Sequence, residues 1–182
     1  MSYEDNKKLT VFNFWAGPGA GKSLNAAGLF NLMKKDYKSV ELITEYAKDL
    51  VWSERNNMFT EQDYIFAKQN HRLRRLVGKV EYAITDSPLA LGMLYLPKDY
   101  PPSFKQFALD VYNTYNNVNI YLNRNHPYQS KGRNQTEEEA KVVDEKCLEF
   151  LDELGLEYIS ITSGDNTQQE IYDILKKTGR II

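Results

Sequence analysis

The sequence predicts an α/β fold in which a five-stranded parallel sheet is sandwiched by helices. Short β-rich runs alternate with helical patterns along the chain, which argues for parallel strands covered on both faces. The first apolar run, Leu9-Thr10-Val11-Phe12-Asn13-Phe14-Trp15, leads through a glycine-rich loop into the helix-like segment Asn25–Met33. With 182 residues and 42% hydrophobic content, there is material for one core of ordinary size and too little for two comfortable domains. A single domain over residues 1–182 is expected.

Taken in order, strands are expected at 9–15, 40–44, 82–86, 118–122 and 157–161, and helices at 23–35, 46–54, 60–77, 103–115, 136–154 and 167–177. Thr136 followed by Glu137, Glu138 and Glu139 reads as a capped helix start, and Gly155 sits where a helix C-terminal cap belongs. Pro97, Pro101 and Pro102 mark a connecting loop. No internal repeat or low-complexity linker interrupts the pattern. Trp15 and Trp52 are expected in the core. The single Cys147, inside a charged helical segment, builds neither a disulfide framework nor a zinc site. The polar start Met1–Lys8 does not fit a secretory signal and no stretch approaches a membrane span, so a soluble protein of a reducing cytoplasm is expected. A net charge of -2, with both signs interspersed, gives no general basic field for gripping nucleic acid, although a local basic patch stays open.

The loop Ala16-Gly17-Pro18-Gly19-Ala20-Gly21-Lys22-Ser23 matches G-x-x-x-x-G-K-[ST], with Ala16 in place of the first glycine at the strand end, where a methyl group is accommodated. Glycines let the backbone turn so that its N–H groups face phosphate oxygens, and the following helix adds its positive dipole end. Gly17, Gly19, Ala20, Gly21, Lys22, Ser23 and Leu24 are the expected nucleotide-binding residues. Lys22 would reach the β- and γ-phosphates and the Ser23 hydroxyl would ligate Mg²⁺. ATP and Mg²⁺ are the cofactors implied.

In such sheets ligands lie beyond the carboxyl ends of the strands, and four further ends carry polar chemistry. These are Thr44-Glu45-Tyr46-Ala47-Lys48-Asp49, Thr85-Asp86-Ser87-Pro88, the segment 123–135, and Thr162-Ser163-Gly164-Asp165-Asn166. Glu45 and Asp86 are expected to emerge together on strands flanking the phosphate loop. Arg124, Lys131 and Arg133 lie on a glycine-containing excursion between a strand and a long helix. Cations on such a lid suit phosphoryl transfer, because they meet charge spread over equatorial oxygens while the flap excludes water. His126 reads as an ordinary loop residue. On the helix at 60–77, Phe66, Gln69 and Arg72 share a face suited to an acceptor wall, with the amide reading a base edge and the aromatic stacking on its plane. Core packing of Phe66 is the competing reading. His71 is expected on the surface.

Together these ends resemble the nucleoside and nucleotide kinase group of phosphate-loop proteins, and more narrowly the small kinases similar to the nicotinamide riboside kinase domain. The resemblance rests on the loop at Gly17–Ser23, on Thr44–Ala47, on the strand-ending Asp86, and on the Pro-Tyr-Gln with Gly-Arg around Pro127–Arg133. It implies transfer of the ATP γ-phosphoryl group to a hydroxyl or phosphate on a nucleoside-like acceptor. By similarity to deoxynucleoside kinases, Glu45 is the candidate base or orienter for the acceptor hydroxyl and Asp86 the Mg²⁺ partner through water. The group often has Arg after the latter acid, whereas Ser87 follows here, so one anion contact is lost or supplied elsewhere. The resemblance thus gives Lys22, Glu45, Asp86, Arg124 and Arg133 catalytic roles, and Glu45, Phe66, Gln69 and Arg72 acceptor-binding ones.

Three functions follow from this reading. The leading one is a kinase for a small nucleoside- or nucleotide-like acceptor. The second phosphorylates a hydroxymethylated pyrimidine in DNA, using Lys68, Arg72, Arg74 and Arg75 on an open acceptor side. The third is a regulatory ATPase. The acidic balance favours the first over the second, and the cationic lid with no clear Walker-B Asp-Glu pair favours either kinase over the third. A homodimer is left open as the assembly.

Overall fold

All five strands pair in parallel, in the order β2-β3-β1-β4-β5, with β1 (Thr10–Trp15) at the centre. The others are β2 (Val40–Ile43), β3 (Tyr82–Thr85), β4 (Asn116–Asn123) and β5 (Tyr158–Thr162). The helices are α1 (Lys22–Lys35), α2 (Tyr46–Trp52), α3 (Gln62–Arg74), α4 (Pro102–Tyr112), α5 (Glu137–Glu153) and α6 (Thr167–Lys177). This computed structural model describes residues 8–125 and 136–182. Among them, no helix is long and apolar enough to cross a membrane.

Successive side chains of a strand point to opposite faces, and both faces of β1 are covered, so its residues from Val11 to Trp15 are all buried and, Asn13 apart, apolar. Val11 and Trp15 enter a core with Leu73, Tyr112, Phe150 and Leu151 of α3, α4 and α5. Phe12 and Phe14 enter the opposite core with Leu29, Met33, Ile171 and Leu175 of α1 and α6. A strand buried on both faces has no side left for polar residues unless they bond one another. Asn119 shows how that is met: its Oδ1 accepts from Trp15 Nε1 at 2.9 Å and from Tyr112 Oη at 2.6 Å, and its Nδ2 donates to Glu157 O at 3.1 Å.

The local signals act as their chemistry requires. Thr136 forms a full capping box with Glu139, through a 3.2 Å bond from the Glu139 N–H and a 2.8 Å bond back to Glu139 Oε2. Gly155 turns left-handed at φ 60, and the Leu156 N–H closes on Leu151 O at 2.9 Å. Pro102 opens α4, where its missing N–H costs nothing.

Three local expectations are corrected. The helix expected at 60–77 is shorter, because Asn56–Thr60 winds as a separate 3₁₀ turn before it and the helix stops at Arg74. A further 3₁₀ helix, Leu89–Tyr95, stands after β3, where the sequence suggested no element; it buries Leu89, Ala90, Leu91 and Met93. Trp52 is 65% exposed rather than in the core, because α2 is too short to bury more than Leu50.

Asn119→Ala is expected to leave the Trp15 N–H and Tyr112 O–H buried without an acceptor, lowering stability by about 3 kcal/mol, whereas Tyr112→Phe removes one bond of three and costs about 1 kcal/mol. Urea unfolding of the two variants checks the ranking.

Candidate active site

The phosphate loop is the turn between β1 and α1, and its glycines serve two different purposes. Gly19 and Gly21 have φ of 80 and 90, a left-handed region that L side chains rarely adopt. Gly17 instead answers a close approach: a Cβ there would lie 2.4 Å from Ala140 O of α5 and 2.8 Å from Asp144 Oδ1. The Ala16 methyl, at the motif's first glycine position, is fully buried in the apolar core.

The loop is braced from behind by β5 and α6. Ser163 Oγ donates to Ala20 O at 3.1 Å, and Asn25 Nδ2 donates to Gly21 O at 3.0 Å while its Oδ1 accepts from Gln168 Nε2 at 3.0 Å. From the front, Asp144 Oδ1 accepts the Gly17 N–H at 2.5 Å and Arg124 Nη2 donates to Pro18 O at 2.8 Å.

Lys22 folds back into the loop, its Nζ donating to Ala16 O at 2.7 Å and Gly17 O at 2.8 Å. Burial pushes its pKa below the usual lysine range, and the carboxylates of Glu45, Asp86 and Asp144 oppose that shift. A partly desolvated ammonium held by two carbonyls suits an anionic phosphate chain. Next to it, Ser23 Oγ donates to Asp86 Oδ2 at 2.5 Å. Asp86 is buried, and its Oδ1 has no hydrogen-bond partner among the described residues. A hydroxyl beside an under-bonded carboxylate oxygen fits Mg²⁺, which takes one or two protein oxygens and completes its shell with water and phosphate. Among the described residues no cluster of three or more His, Cys, Asp or Glu side chains forms an all-protein cage.

Glu45 is the N-cap residue of α2, half-buried, and makes no side-chain cap bond. Its charge acts on Lys22, so the strand ends of β2 and β3 both direct a carboxylate's field at the loop. The acceptor-wall residues are more closely tied into the scaffold than their spacing alone suggests. Gln69 Oε1 accepts from the Tyr46 N–H at 2.9 Å, and its Nε2 donates to Thr85 Oγ1 at 3.3 Å and Thr44 O at 3.4 Å. Arg72 donates to Thr44 O at 3.0 Å, pairs with Asp49 and lies 5.2 Å above the Tyr46 ring. Phe66 is 8% exposed and packs edge-on against Phe104 and Phe107. Phe66 and Gln69 nevertheless share a small cavity of about 30 Å³ with Gln62, Ser87, Gly92 and Met93, between α3 and the 3₁₀ helix. His71 is exposed. His126, Lys131, Arg133 and the Pro127–Arg133 motif lie outside the described residues.

A family profile described as an AAA domain matches residues 12–169, which takes in the end of β1, the loop, the other four strands and α1 to α5. The chain belongs to this AAA-domain family. No curated protein matches it in sequence. Among solved structures, this AAA-domain protein is similar to NadR protein in complex with NR, with a TM-score of 0.72 at 17% identity over 96% of this chain and 53% of that one. It is also similar to thymidylate kinase from Ehrlichia chaffeensis, with a TM-score of 0.63 at 14% identity over 92% and 99% of the two chains. Deoxyadenosine kinase from M. mycoides gives 0.53 at 15% identity, over 94% and 100%. The chain spans about half the length of NadR. The AAA-domain protein therefore has the phosphate-loop fold seen in nucleoside and nucleotide kinases, as the strand-end residues led one to expect.

Asp144, Ser163, Asn25 and Gln168 are loop-bracing residues that pattern reading assigned no role. Nothing local flags Asp144, which meets Gly17 across 127 residues of chain; Ser163 stood in a strand-end segment already marked as polar.

Gly17→Ala is expected to force α5 away from the loop, costing about 1–3 kcal/mol. The thermal midpoint should fall by about 2–4 °C for each of those kcal/mol. Calorimetry of the variant against wild type checks it, and an unchanged midpoint means α5 moves without strain.

Proposed function

We propose that this chain is an ATP-dependent kinase that moves the γ-phosphoryl group to a hydroxyl or phosphate of a nucleoside- or nucleotide-like small molecule. The observation that carries the reading is the half-buried Lys22 ammonium in a glycine loop beside the 2.5 Å Ser23–Asp86 pair, with Glu45 at the neighbouring strand end. The likeness to NadR, thymidylate kinase and deoxyadenosine kinase supports it at the level of fold.

In this reading the chain acts as one domain with a lid at about 123–135, in the cytoplasm. The N–H groups from Gly19 to Leu24 and the start of α1 hold the phosphates. Lys22 and Arg124 face charge that grows on the transferring group, and this positioning and electrostatic work is most of what phosphoryl transfer needs from a protein. Ser23 and Asp86 would hold Mg²⁺, which would neutralise charge on the phosphate chain. Glu45 orients the acceptor hydroxyl and takes its proton. Arg72, one cation that a DNA acceptor would use, is held by Thr44 and Asp49, which favours a small acceptor.

Transfer of radiolabelled γ-phosphate from ATP to a panel of nucleosides, nucleotides and hydroxymethylated DNA tests the assignment. ATP hydrolysis with no acceptor labelled would replace it with a regulatory ATPase, and label only on DNA with the polymer-directed kinase. Lys22→Ala should retain the fold and lose most transfer; unchanged turnover removes the loop from the chemistry.

Glu45→Gln keeps the side chain's size and hydrogen bonding but not its proton affinity. Transfer is expected to drop at least about tenfold, equivalent to about 1.4 kcal/mol in barrier. ATP affinity and thermal midpoint should stay nearly constant. Normal transfer with earlier melting would make Glu45 a helix-start residue instead.

A further inference from the structure

Asp144 sits at a position the reading above does not explain. Its Oδ1 accepts the Gly17 N–H at 2.5 Å, its Oδ2 accepts from Arg124 Nε at 2.8 Å, and Arg124 returns to the loop through Pro18 O at 2.8 Å. The Arg124 and Asp144 side chains are only 9% and 13% exposed, so a shielded ion pair closes a ring over the front of the loop. The same stretch holds the Lys22 ammonium, 2.8 Å from Gly17 O. In phosphate loops that ammonium reaches the β- and γ-phosphates, while backbone N–H groups cradle the phosphates nearer the nucleoside. With the Lys22 cation on its carbonyl and the Asp144 anion on its amide, Gly17 marks the γ-phosphate end of the site. The carboxylate there accepts one backbone N–H and one guanidinium bond, the same donors that a terminal phosphoryl group uses.

We propose that Asp144 is a specificity-determining residue: as resident counter-anion of Arg124 beside Gly17, it sets how strongly the loop distinguishes a nucleoside triphosphate from a diphosphate. This rests on the nucleotide site proposed above. A third phosphate meets a guanidinium already matched by a carboxylate, and like charges repel strongly in a shielded place. A diphosphate, held by N–H groups near the start of α1, stays farther from the pair. The two halves of the pair therefore act with opposite sign. Asp144→Asn keeps the side chain's size and an acceptor for the Gly17 N–H but removes its charge, which favours the triphosphate. Arg124→Ala leaves the carboxylate without that counter-charge, which disfavours it.

The test is calorimetric titration of ADP and of the β,γ-imido analogue of ATP, both with Mg²⁺, into wild type, Asp144→Asn, Arg124→Ala and the double variant. The triphosphate-to-diphosphate affinity ratio should rise about five- to tenfold in Asp144→Asn and fall by a similar factor in Arg124→Ala. In the double variant it should return to within about twofold of wild type. Parallel weakening of both nucleotides, or an unchanged ratio in the single variants, overturns the proposal and leaves Asp144 a packing residue. Wild type that binds neither nucleotide overturns the nucleotide site itself, a distinct result. If Asp144→Asn does not fold, the wild-type Gly17 amide resonance, shifted downfield by its short bond to a carboxylate, decides: the imido analogue should displace it more than ADP does, and equal displacement overturns the proposal.

Discussion

An ammonium drawn partly out of water is unstable unless its surroundings answer its charge, and that constraint at the half-buried Lys22 organises the rest of the site. The loop must curl tightly enough for the carbonyls of Ala16 and Gly17 to reach Nζ, which is why Gly19 and Gly21 adopt left-handed conformations. The carbonyls supply dipoles but no full charge. Glu45, Asp86 and Asp144 supply it from the ends of β2 and β3 and from α5. One cation thus draws an acid from three separate elements, and the parallel sheet brings two of those acids to the same edge.

The scaffold around this centre is stiffened by polar side chains used as struts. Gln69 joins the β2 end, the start of α2 and the β3 end through one amide group, so that Thr44, Tyr46 and Thr85 keep a fixed relation. Asn119 does the same for β1, α4 and the segment before β5. Each is buried with its hydrogen bonds made, the condition under which a polar network specifies one arrangement rather than destabilising the core.

The central strand, the phosphate loop and the α5 cap were legible in the sequence because each is written in a short run: apolar residues into glycines, Lys22-Ser23, and Thr136 with Glu139. The 3₁₀ helix Leu89–Tyr95 was not, since seven residues carry too short a period to separate from a loop. Trp52 misled because hydrophobicity alone says nothing about whether a seven-residue helix has a neighbour at its far end. The spacing of Phe66, Gln69 and Arg72 did mark one face of α3. It gave no sign that the amide and guanidinium bond the scaffold, because their partners lie 16 to 28 residues away. Asp144 was invisible for the same reason at greater range.

The bracing of the loop from both sides has a consequence for how the protein is made. The motif is complete by Ser23, but the residues that hold it come late: β4 pairs with β1 across 106 residues, Asp144 meets Gly17 across 127, and Ser163 meets Ala20 across 143. Contacts of such range form slowly, because the closure entropy of the intervening chain comes before any reward. On the ribosome, the glycine loop is therefore made well before β4, Asp144 and Ser163, the walls that shape it. A nucleotide bound as proposed would therefore meet a fully walled loop only after β5 and α6 have docked, and would act as a clasp on those elements rather than as a template for them.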